Sequence, residues 1–278
     1  MFSFLGLDEF LLSALKEDVG TGDITTLSCI PEDSRSEARF IAKEDGIVCG
    51  LDIAARVFYL VDDRIAFIPK VSDGDLVIKG DAIAEVIGSS RGILTGERVA
   101  LNLMQRLSGT ATATAKAVGA VKGTNAKICD TRKSTPGMRV LEKYAVRIGG
   151  GHNHRFNLSD GVLIKDNHIA AAGGIANAVK AARDTVPHVM KIEVETETLD
   201  EVKQALDAGA DVIMLDNMST ELMRDAVKLI DGRALTEASG NMGEKNLTEV
   251  AKTGVDFISI GALTHSVKAL DISLKFKK

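Results

Sequence analysis

Short apolar runs and helix-period segments alternate along the second half of the chain. Six runs recur from about residue 126 onward: AKICDT, GVLIKD, VMKIEVE, DVIMLD, RALTEAS and FISIG. Segments with apolar residues three and four positions apart lie among them, including IANAVKAARDT, LDEVKQALDAG and TELMRDAVKLI. Strands that alternate with helices are typical of a parallel sheet with right-handed crossovers. The pattern predicts an α/β fold with a (β/α) barrel that is open or incomplete, because only six strand runs are clear.

The first 115 residues mix helices with short strands. Apolar alternation broken by Gly-Asp turns over VSDGDLVIKGDAIAEVIGSS predicts a small β-layer, and EARFIAKEDGIVCG predicts a strand pair. Helical spacing predicts one helix over LDIAARVFYLV and a long one over GILTGERVALNLMQRLSGTATATAKAV. We therefore predict two domains, residues 1–115 and a barrel over 116–265, with the tail 266–278 as a candidate addition to the first domain.

The amino-terminal segment begins apolar, but acidic residues enter at Asp8 and Glu9 and apolar residues recur at helical spacing. This pattern predicts an amphipathic helix and not a signal peptide. No run reaches the roughly 18 apolar residues that a membrane span needs, so we expect no membrane association.

Composition narrows the class of protein further. The 278 residues carry a net charge of −5 and include no Trp and two Tyr, so neither overall charge nor base stacking favours nucleic-acid binding. Cys29, Cys49 and Cys129 are odd in number and far apart in sequence, which argues against a disulfide framework or a zinc knuckle. A reducing cytoplasm is the expected location.

Each of the six apolar runs ends in a polar or glycine position. These positions are Asp130 to Lys133, Lys165 and Asp166, Glu195, Asp216, Ser239 and Gly240, and Gly261. In β/α barrels the carboxyl ends of the strands carry the active site. Asp216 follows Glu195 by 21 residues, the length of one strand-to-strand helical unit. We therefore expect side chains from all six runs to converge on one rim.

The rim has a cationic half, which comprises Arg132, Lys133, His154, Arg155 and Lys165. Such a cluster costs stability through like-charge repulsion, so its presence indicates that an anion occupies the site. Arginines can bind a carboxylate or phosphate in a bidentate manner, which orients the ligand as well as attracting it.

The other half is acidic and then glycine-rich. Glu195 and Asp216 suit Mg²⁺ or sugar hydroxyls. The segment 237–243 and Gly261, which precedes a helix with His265, resemble the phosphate site that follows the last strands of many barrels. The whole rim suits a phosphorylated sugar with Mg²⁺ beside an anionic co-substrate, and displacement at the anomeric carbon.

At these residues the sequence closely resembles the quinolinate phosphoribosyltransferase family. The matching stretches are EDVGTGDITT, GIVCG, GERVALNLMQRLSGTAT, DTRKSTPGMRVLEKYAVRIGGGHNHRFNLSDGVLIKDNHI, KIEVET, AGADVIMLDNM, EASGNM and ISIGALTHS. They span nearly the whole chain in the family's order, and the central block over 130–169 is the most specific.

The resemblance implies an N-terminal α/β sandwich followed by an open α/β barrel. It also implies an activity: quinolinate and phosphoribosyl pyrophosphate would give nicotinate mononucleotide, pyrophosphate and CO₂, with Mg²⁺ as the cofactor. The ring nitrogen, cationic once ribosylated, would accept the electrons left by CO₂. Family members work as homodimers or larger homo-oligomers, in which the N-terminal domain of one subunit completes its neighbour's site.

The resemblance further assigns roles to individual residues. Arg98 would be the arginine that a neighbouring subunit donates. The residues around the quinolinate carboxylates would be Arg132, Lys133, His154, Arg155 and Lys165. Glu195 and Asp216 would face the ribose and Mg²⁺, directly or through the substrate. The phosphate end would be lined by Ser239, Gly240, Asn241, Gly261 and His265, although many relatives have glycine where Asn241 stands. The catalytic residues would be Lys133, Lys165, Glu195 and Asp216.

Some alternatives stay open. A paralogue of the same fold, a nicotinate phosphoribosyltransferase or its molybdenum-associated relative, would share much of this pattern, and so would a non-catalytic anion-binding module. His152, His154 and His168 suggest a metal, but a further ligand at standard spacing is missing from the sequence. A lysine at a strand end, such as Lys165, is also where a Schiff-base lysine would lie, although the neighbouring cations favour an anion ligand.

Overall fold

The structure is a computed structural model that describes residues 4–277, so the first three residues of the predicted amino-terminal helix and the last residue of the tail lie outside it. The chain forms two compact units. One comprises the residues up to Ala113 together with those from Val267 onward, and the other is Thr114–Ser266. Among the described residues, no helix has the length and apolar character needed to cross a membrane.

Helices and strands occur in both units. The helices are α1 Leu7–Val19, α2 Ile24–Cys29, α3 Leu51–Val61, α4 Ser90–Ala120, α5 Arg139–Ile148, α6 Asp166–Ala172, α7 Ile175–Thr185, α8 Leu199–Asp207, α9 Thr220–Ile230, α10 Leu247–Ala251 and α11 Ala262–His265. The strands are β1 Arg35–Ala42, β2 Gly46–Ile47, β3 Ala66–Pro69, β4 Leu76–Val77, β5 Ala82–Ser89, β6 Lys127–Cys129, β7 Val162–Ile164, β8 Ile192–Thr196, β9 Val212–Asp216, β10 Leu235–Ser239, β11 Phe257–Ser259 and β12 Ile272–Phe276.

An antiparallel sheet with the strand order β12-β1-β5-β3 is the main sheet of the first unit. Phe40 of β1 packs edge-on against Phe58 of α3 and Phe67 of β3, with ring centroids 6.1 and 5.7 Å apart. Such contacts between rings add to the stabilisation that comes from burying them. The tail contributes β12, which pairs with β1 so that Leu274 lies opposite Phe40.

The predicted strand pair over 37–50 is wrong in its pairing. Both segments contain strands, but β2 pairs with β4 in a separate two-stranded sheet and not with β1. The reason is a competing set of hydrogen bonds from helix α4. Thr112 Oγ1 accepts from the backbone N–H of Ile47, and Ser108 Oγ accepts from that of Cys49, both at 2.9 Å.

The second unit contains a parallel sheet with the order β6-β11-β10-β9-β8-β7. Its strands are the six apolar runs, and the prediction of an open barrel is confirmed because β6 and β7 are the sheet's two edges and do not pair with each other. An isolated parallel bridge between Cys129 and His152 extends the ladder on the free side of β6. The register sets Ser239 beside Asp216 and Glu195 beside Met214, so polar side chains meet at the carboxyl ends of the strands.

Helix α4 and the carboxyl-terminal tail approach each other at Gly109. A Cβ atom there would overlap the carbonyl oxygen of Lys268 and would lie 3.0 Å from the Cα of Ala269. Both neighbours are backbone atoms, so they have little freedom to move aside. Glycine at this position therefore allows the tail to lie against the helix and reach β1.

We predict that Gly109→Ala lowers the midpoint of thermal unfolding, because the added methyl group forces the tail away from α4. Gly119→Ala is the matched control, since it lies in the same helix and its Cβ would meet nothing within 4 Å. That control should be neutral or should stabilise by about 0.5–1 kcal/mol, as alanine does in helices. Equal unfolding midpoints for the two variants would contradict the close approach.

Candidate active site

A cavity of about 390 Å³ opens at the carboxyl ends of the strands in the second unit. This size and position are typical of small-molecule sites in β/α barrels. Ten of the residues predicted from the sequence line it: Arg132, Lys133, His154, Arg155, Lys165, Glu195, Asp216, Ser239, Gly240 and Asn241.

Three other predicted residues do not line the cavity. Gly261 and His265 lie next to Lys133, since a Cβ on Gly261 would be 3.0 Å from Lys133 Cδ and 3.1 Å from His265 Nε2. His265 lies on α11, a helix of a single turn. Its imidazole Nδ1 shares a hydrogen bond of 2.6 Å with Ser266 Oγ. Arg98 lies in the first unit, exposed on α4.

A buried ion pair fixes the loop that carries His154. Asp130 at the end of β6 and Lys143 of α5 are both fully buried and form a salt bridge with each other. Asp130 also accepts hydrogen bonds from Asn153 Nδ2 at 2.6 Å and from the backbone N–H of His154 at 2.9 Å. Lys143 Nζ donates in addition to the carbonyl oxygen of His154 at 2.9 Å. The pair therefore fixes both the backbone N–H and the backbone carbonyl group of His154.

Two arginines hold the neighbouring loops in place. Arg139 donates from Nε to Ser134 Oγ at 2.9 Å and from Nη1 to the carbonyl oxygen of Phe156 at 3.0 Å. It also donates to the carbonyl oxygen of Arg132 at 3.3 Å. Arg155 Nη1 donates to the carbonyl oxygen of Gly161 at 2.9 Å. Arg139 thus organises the cationic side of the cavity. From the sequence, this arginine could not be distinguished from an ordinary surface charge.

Lys165 and Glu195 pair with each other across neighbouring strands β7 and β8. The backbone N–H of Lys165 donates to His168 Nδ1 at 2.9 Å, which closes the first turn of α6 and orients the residue. His168 thus has a structural role in this turn. The Lys165–Glu195 contact is where the cationic and acidic sides of the cavity meet.

A tight turn after β10 lies against the end of β9. Gly240 has φ 89°, and a Cβ there would overlap Asn217 Oδ1 and lie 2.7 Å from the backbone N of Asn217. Asn217 donates from its backbone N–H to Ser239 O at 3.1 Å and from Nδ2 to Asp216 Oδ2 at 2.6 Å. Asn241 has φ 53°, a left-handed conformation that asparagine tolerates and that glycine adopts freely. The turn thus locks Asp216 and Ser239 side by side.

Two glutamates that we did not predict lie one layer deeper in the barrel. His154 Nε2 is 3.1 Å from Glu193 Oε2 and 3.7 Å from Glu237 Oε1. Burial would lower the pKa of His154, but its hydrogen bond to Glu193 and the charges of both glutamates outweigh burial and raise that pKa. Burial and the negative charge of Glu193 raise the pKa of Glu237 to about 7.

A signal in the sequence could have revealed these glutamates. Side chains two positions apart on a strand point to the same face, so Glu193 shares the face of Glu195, and Glu237 shares the face of Ser239. Because Glu195 and Ser239 were expected at the rim, the period of two places both additional carboxyls inside the barrel beneath it. Only Glu237 of the two lines the cavity itself.

We predict that Lys143→Met destabilises the protein by about 3–5 kcal/mol, because it leaves the buried charge of Asp130 unpaired. The matched control is Arg147→Met, since Arg147 is exposed on the same helix. A surface change of this kind is expected to stay within about 0.5 kcal/mol. The free energy of unfolding from chemical denaturation measures both effects, and a loss below about 1 kcal/mol in Lys143→Met would contradict the role of the pair.

Comparison with known proteins gives a consistent result over nearly the whole chain. Residues 23–108 match the N-terminal domain of quinolinate phosphoribosyl transferase, and residues 110–275 match its C-terminal domain. A Bacillus subtilis protein named probable nicotinate-nucleotide pyrophosphorylase (carboxylating) is 50% identical over 270 residues, which cover 97% of this chain and 93% of that protein.

A plant protein and a solved structure agree with this result. The Arabidopsis thaliana chloroplastic nicotinate-nucleotide pyrophosphorylase (carboxylating) is 49% identical over 94% of this chain and 80% of its own length. The crystal structure of NadC from Streptococcus pyogenes superposes with a TM-score of 0.95 at 44% identity and covers 99% of both chains. The chain therefore belongs to the quinolinate phosphoribosyltransferase family.

Proposed function

We propose that this chain transfers the phosphoribosyl group of phosphoribosyl pyrophosphate to quinolinate and releases CO₂, giving nicotinate mononucleotide and pyrophosphate in NAD biosynthesis. The observation that carries the proposal is a single cavity with a cationic side and an acidic side. The cationic side comprises Arg132, Lys133 and Arg155, and the acidic side comprises Glu195 and Asp216. Together they match a dianionic acceptor beside a sugar phosphate.

The cationic side suits the two carboxylates of quinolinate. The side chains of Arg132 and Lys133 are exposed and make no ion pair with any residue between 4 and 277. Arg155 uses one nitrogen on Gly161 and has further N–H donors in its planar group. The two arginines can each bind a carboxylate in a bidentate manner and so fix the orientation of the ring, while the lysine adds a point charge.

The acidic side suits the ribose and Mg²⁺. Mg²⁺ prefers oxygen ligands and is commonly held by one or two carboxylates together with substrate phosphates. Glu195 and Asp216 fit this donor set, because they come from neighbouring strands β8 and β9 and both line the cavity. When bound, Mg²⁺ would neutralise charge on the departing pyrophosphate.

The chain's own residues then divide the work of the reaction. Displacement at the anomeric carbon builds positive charge on the ribose, which Glu195 and Asp216 are placed to stabilise. Lys165, paired with Glu195, would keep that carboxylate oriented while the acceptor nitrogen approaches, and Lys133 would offset the charge of the leaving group. Ser239 and Gly240 offer a hydroxyl and an unobstructed backbone to the phosphate end.

Decarboxylation follows from the charge of the product of the first step. Ribosylation makes the ring nitrogen cationic. When the bond to the departing CO₂ breaks, the electron pair stays on the ring carbon, where the adjacent cationic nitrogen stabilises it, and this carbon then takes a proton from solvent to give nicotinate mononucleotide. The chemistry is inferred from the family, and the cavity's part in it is to hold the ring while the carbon–carbon bond breaks.

The proposed assembly is a homodimer, or a larger homo-oligomer, with a shared site. Arg98 supports it, because this arginine is exposed on α4 and would be available to a neighbouring subunit. The three cysteines are free thiols, two of them buried, which supports the proposed cytoplasmic location.

The direct test of the activity supplies purified protein with phosphoribosyl pyrophosphate, Mg²⁺ and either quinolinate or nicotinate. We expect release of CO₂ and pyrophosphate with quinolinate and no turnover with nicotinate. Turnover of nicotinate without CO₂ would assign the chain to the nicotinate enzymes. Binding without turnover of either acid would indicate an anion-binding module. Treatment with EDTA should abolish turnover, and added Mg²⁺ should restore it.

Mixing of inactive variants tests the shared site. Arg98→Ala and Lys165→Ala should each lose most activity, and their mixture should recover about a quarter of the wild-type rate, since half of randomly formed dimers hold one intact site of two. The control mixture is Lys165→Ala with Asp216→Ala, which places both defects in the barrel and should give no recovery. Failure of the first mixture to recover, with subunit exchange shown by mass spectrometry, contradicts donation of Arg98.

A further inference from the structure

A cluster of His154, Glu193 and Glu237 lies beneath the cationic side of the cavity. One ligand-type atom of each residue lies within 4.8 Å of the others. Glu193 is 6% exposed and Glu237 is 4% exposed, and Oε1 of each has no hydrogen-bond partner in the described part of the chain. A buried carboxylate oxygen without a partner is costly, so this arrangement calls for a positive species, either a cation or a proton.

The hydrogen bonds of His154 favour the proton over a metal. The backbone N–H of Arg155 donates to His154 Nδ1 at 2.7 Å, so Nδ1 is the acceptor and the ring proton of a neutral imidazole must be on Nε2. This Nε2–H points at Glu193 Oε2, 3.1 Å away. A nitrogen that carries a proton cannot ligate a metal, and turning the ring would break the bond from Arg155.

The same geometry decides which group accepts an additional proton. The neighbouring glutamates raise the pKa of His154, but a proton on Nδ1 would turn this acceptor into a donor that faces the backbone N–H of Arg155. Neither glutamate has such a conflict, because Oε1 of each has no hydrogen-bond partner among the described residues. Glu193 already accepts from His154 Nε2, however, and only Glu237 lines the cavity. The carboxyl of Glu237 is therefore the group that can take up a proton without losing a hydrogen bond.

The charges of the other groups that face Glu237 also bear on which group takes up the proton. They are Glu193, His154, Asp130, Cys129 and the hydroxyl of Ser259, with Lys143 behind Asp130. Asp130 and Lys143 neutralise each other, and burial raises the pKa of the Cys129 thiol so far that it stays neutral. The carboxyl groups that remain are those of Glu193 and Glu237.

We propose that this cluster takes up one proton, carried by Glu237, when a dicarboxylate binds in the cavity. The proposal rests on the proposed function, which supplies quinolinate as the dicarboxylate. Two carboxylates placed against Arg132 and Arg155 add negative charge near Glu237 and so disfavour its ionised form. The proton removes the repulsion between the ligand and a buried carboxylate. Protonation of Glu237 thereby allows a dianion to bind above two buried glutamates without repulsion from both of them.

The number of protons taken up can be measured by calorimetry in buffers of different ionisation enthalpy. The probe is benzene-1,2-dicarboxylate, which lacks a ring nitrogen and cannot react, titrated in the presence of phosphoribosyl pyrophosphate and Mg²⁺. Since the pKa of Glu237 is about 7 before binding, we expect an uptake close to one proton per site at pH 8 and close to zero at pH 6. An uptake that is absent at both pH values overturns the proposal without any variant.

Two variants locate the proton. Glu237→Gln keeps the shape of the side chain and should show no uptake at pH 8. Glu221→Gln, an exposed glutamate on α9, should behave as the wild type does. Uptake that persists in Glu237→Gln would assign the proton to His154 or Glu193 and so overturn the role of Glu237. An equivalent of bound metal that is present in the wild type and lost in Glu237→Gln would replace the proton by a cation and would also overturn it.

The wild-type turnover assay separates this inference from the proposed function. Release of CO₂ from quinolinate together with binding that is free of proton uptake would refute the inference alone. Absence of both turnover and dicarboxylate binding would refute the proposed function, and the inference with it.

Discussion

The buried ion pair between Asp130 and Lys143 is the interaction on which the cavity depends. A charge of either sign in the interior is expensive unless it has a partner and hydrogen bonds, and each member of this pair has both. The pair joins the end of β6 to helix α5 and holds the loop that carries His154. Without it, the backbone of His154 would lose the contacts that hold it beside the cavity.

The second constraint is the balance between the positive and negative side chains that line the cavity. Among residues 4–277, Arg132, Lys133 and Arg155 form no ion pair, whereas Lys165 and Glu195 neutralise each other where the two sides meet. This separation of charges costs stability in the free protein and makes a dianionic ligand favourable. The site is thus organised for the charges of its substrates and not for its own stability.

Much of the fold was predictable because the barrel follows simple periodicities. Each of the six apolar runs became a strand, and their polar ends met at one edge because parallel strands place their carboxyl ends together. The pairing of β2 was not predictable, because it depends on hydroxyl groups of α4 that are about sixty residues away in sequence. Local alternation identifies a strand but does not identify its partner.

The site was predictable to the extent that its residues stand at strand ends. Glu193 and Glu237 were missed because they stand one layer deeper, and Arg139 was missed because its contacts are with backbone carbonyls that no sequence pattern reveals. The expected role of Arg98 in a neighbouring subunit's site depends on assembly and not on the fold of one chain. The roles of the individual site residues stay predictions.

A crystal structure of the protein with quinolinate and an unreactive analogue of phosphoribosyl pyrophosphate tests the central claim most directly. We expect both carboxylates to lie against Arg132 and Arg155, with the ribose facing Glu195 and Asp216. Carboxylates bound instead at the turn of Ser239 to Asn241, with the sugar against the arginines, would contradict it.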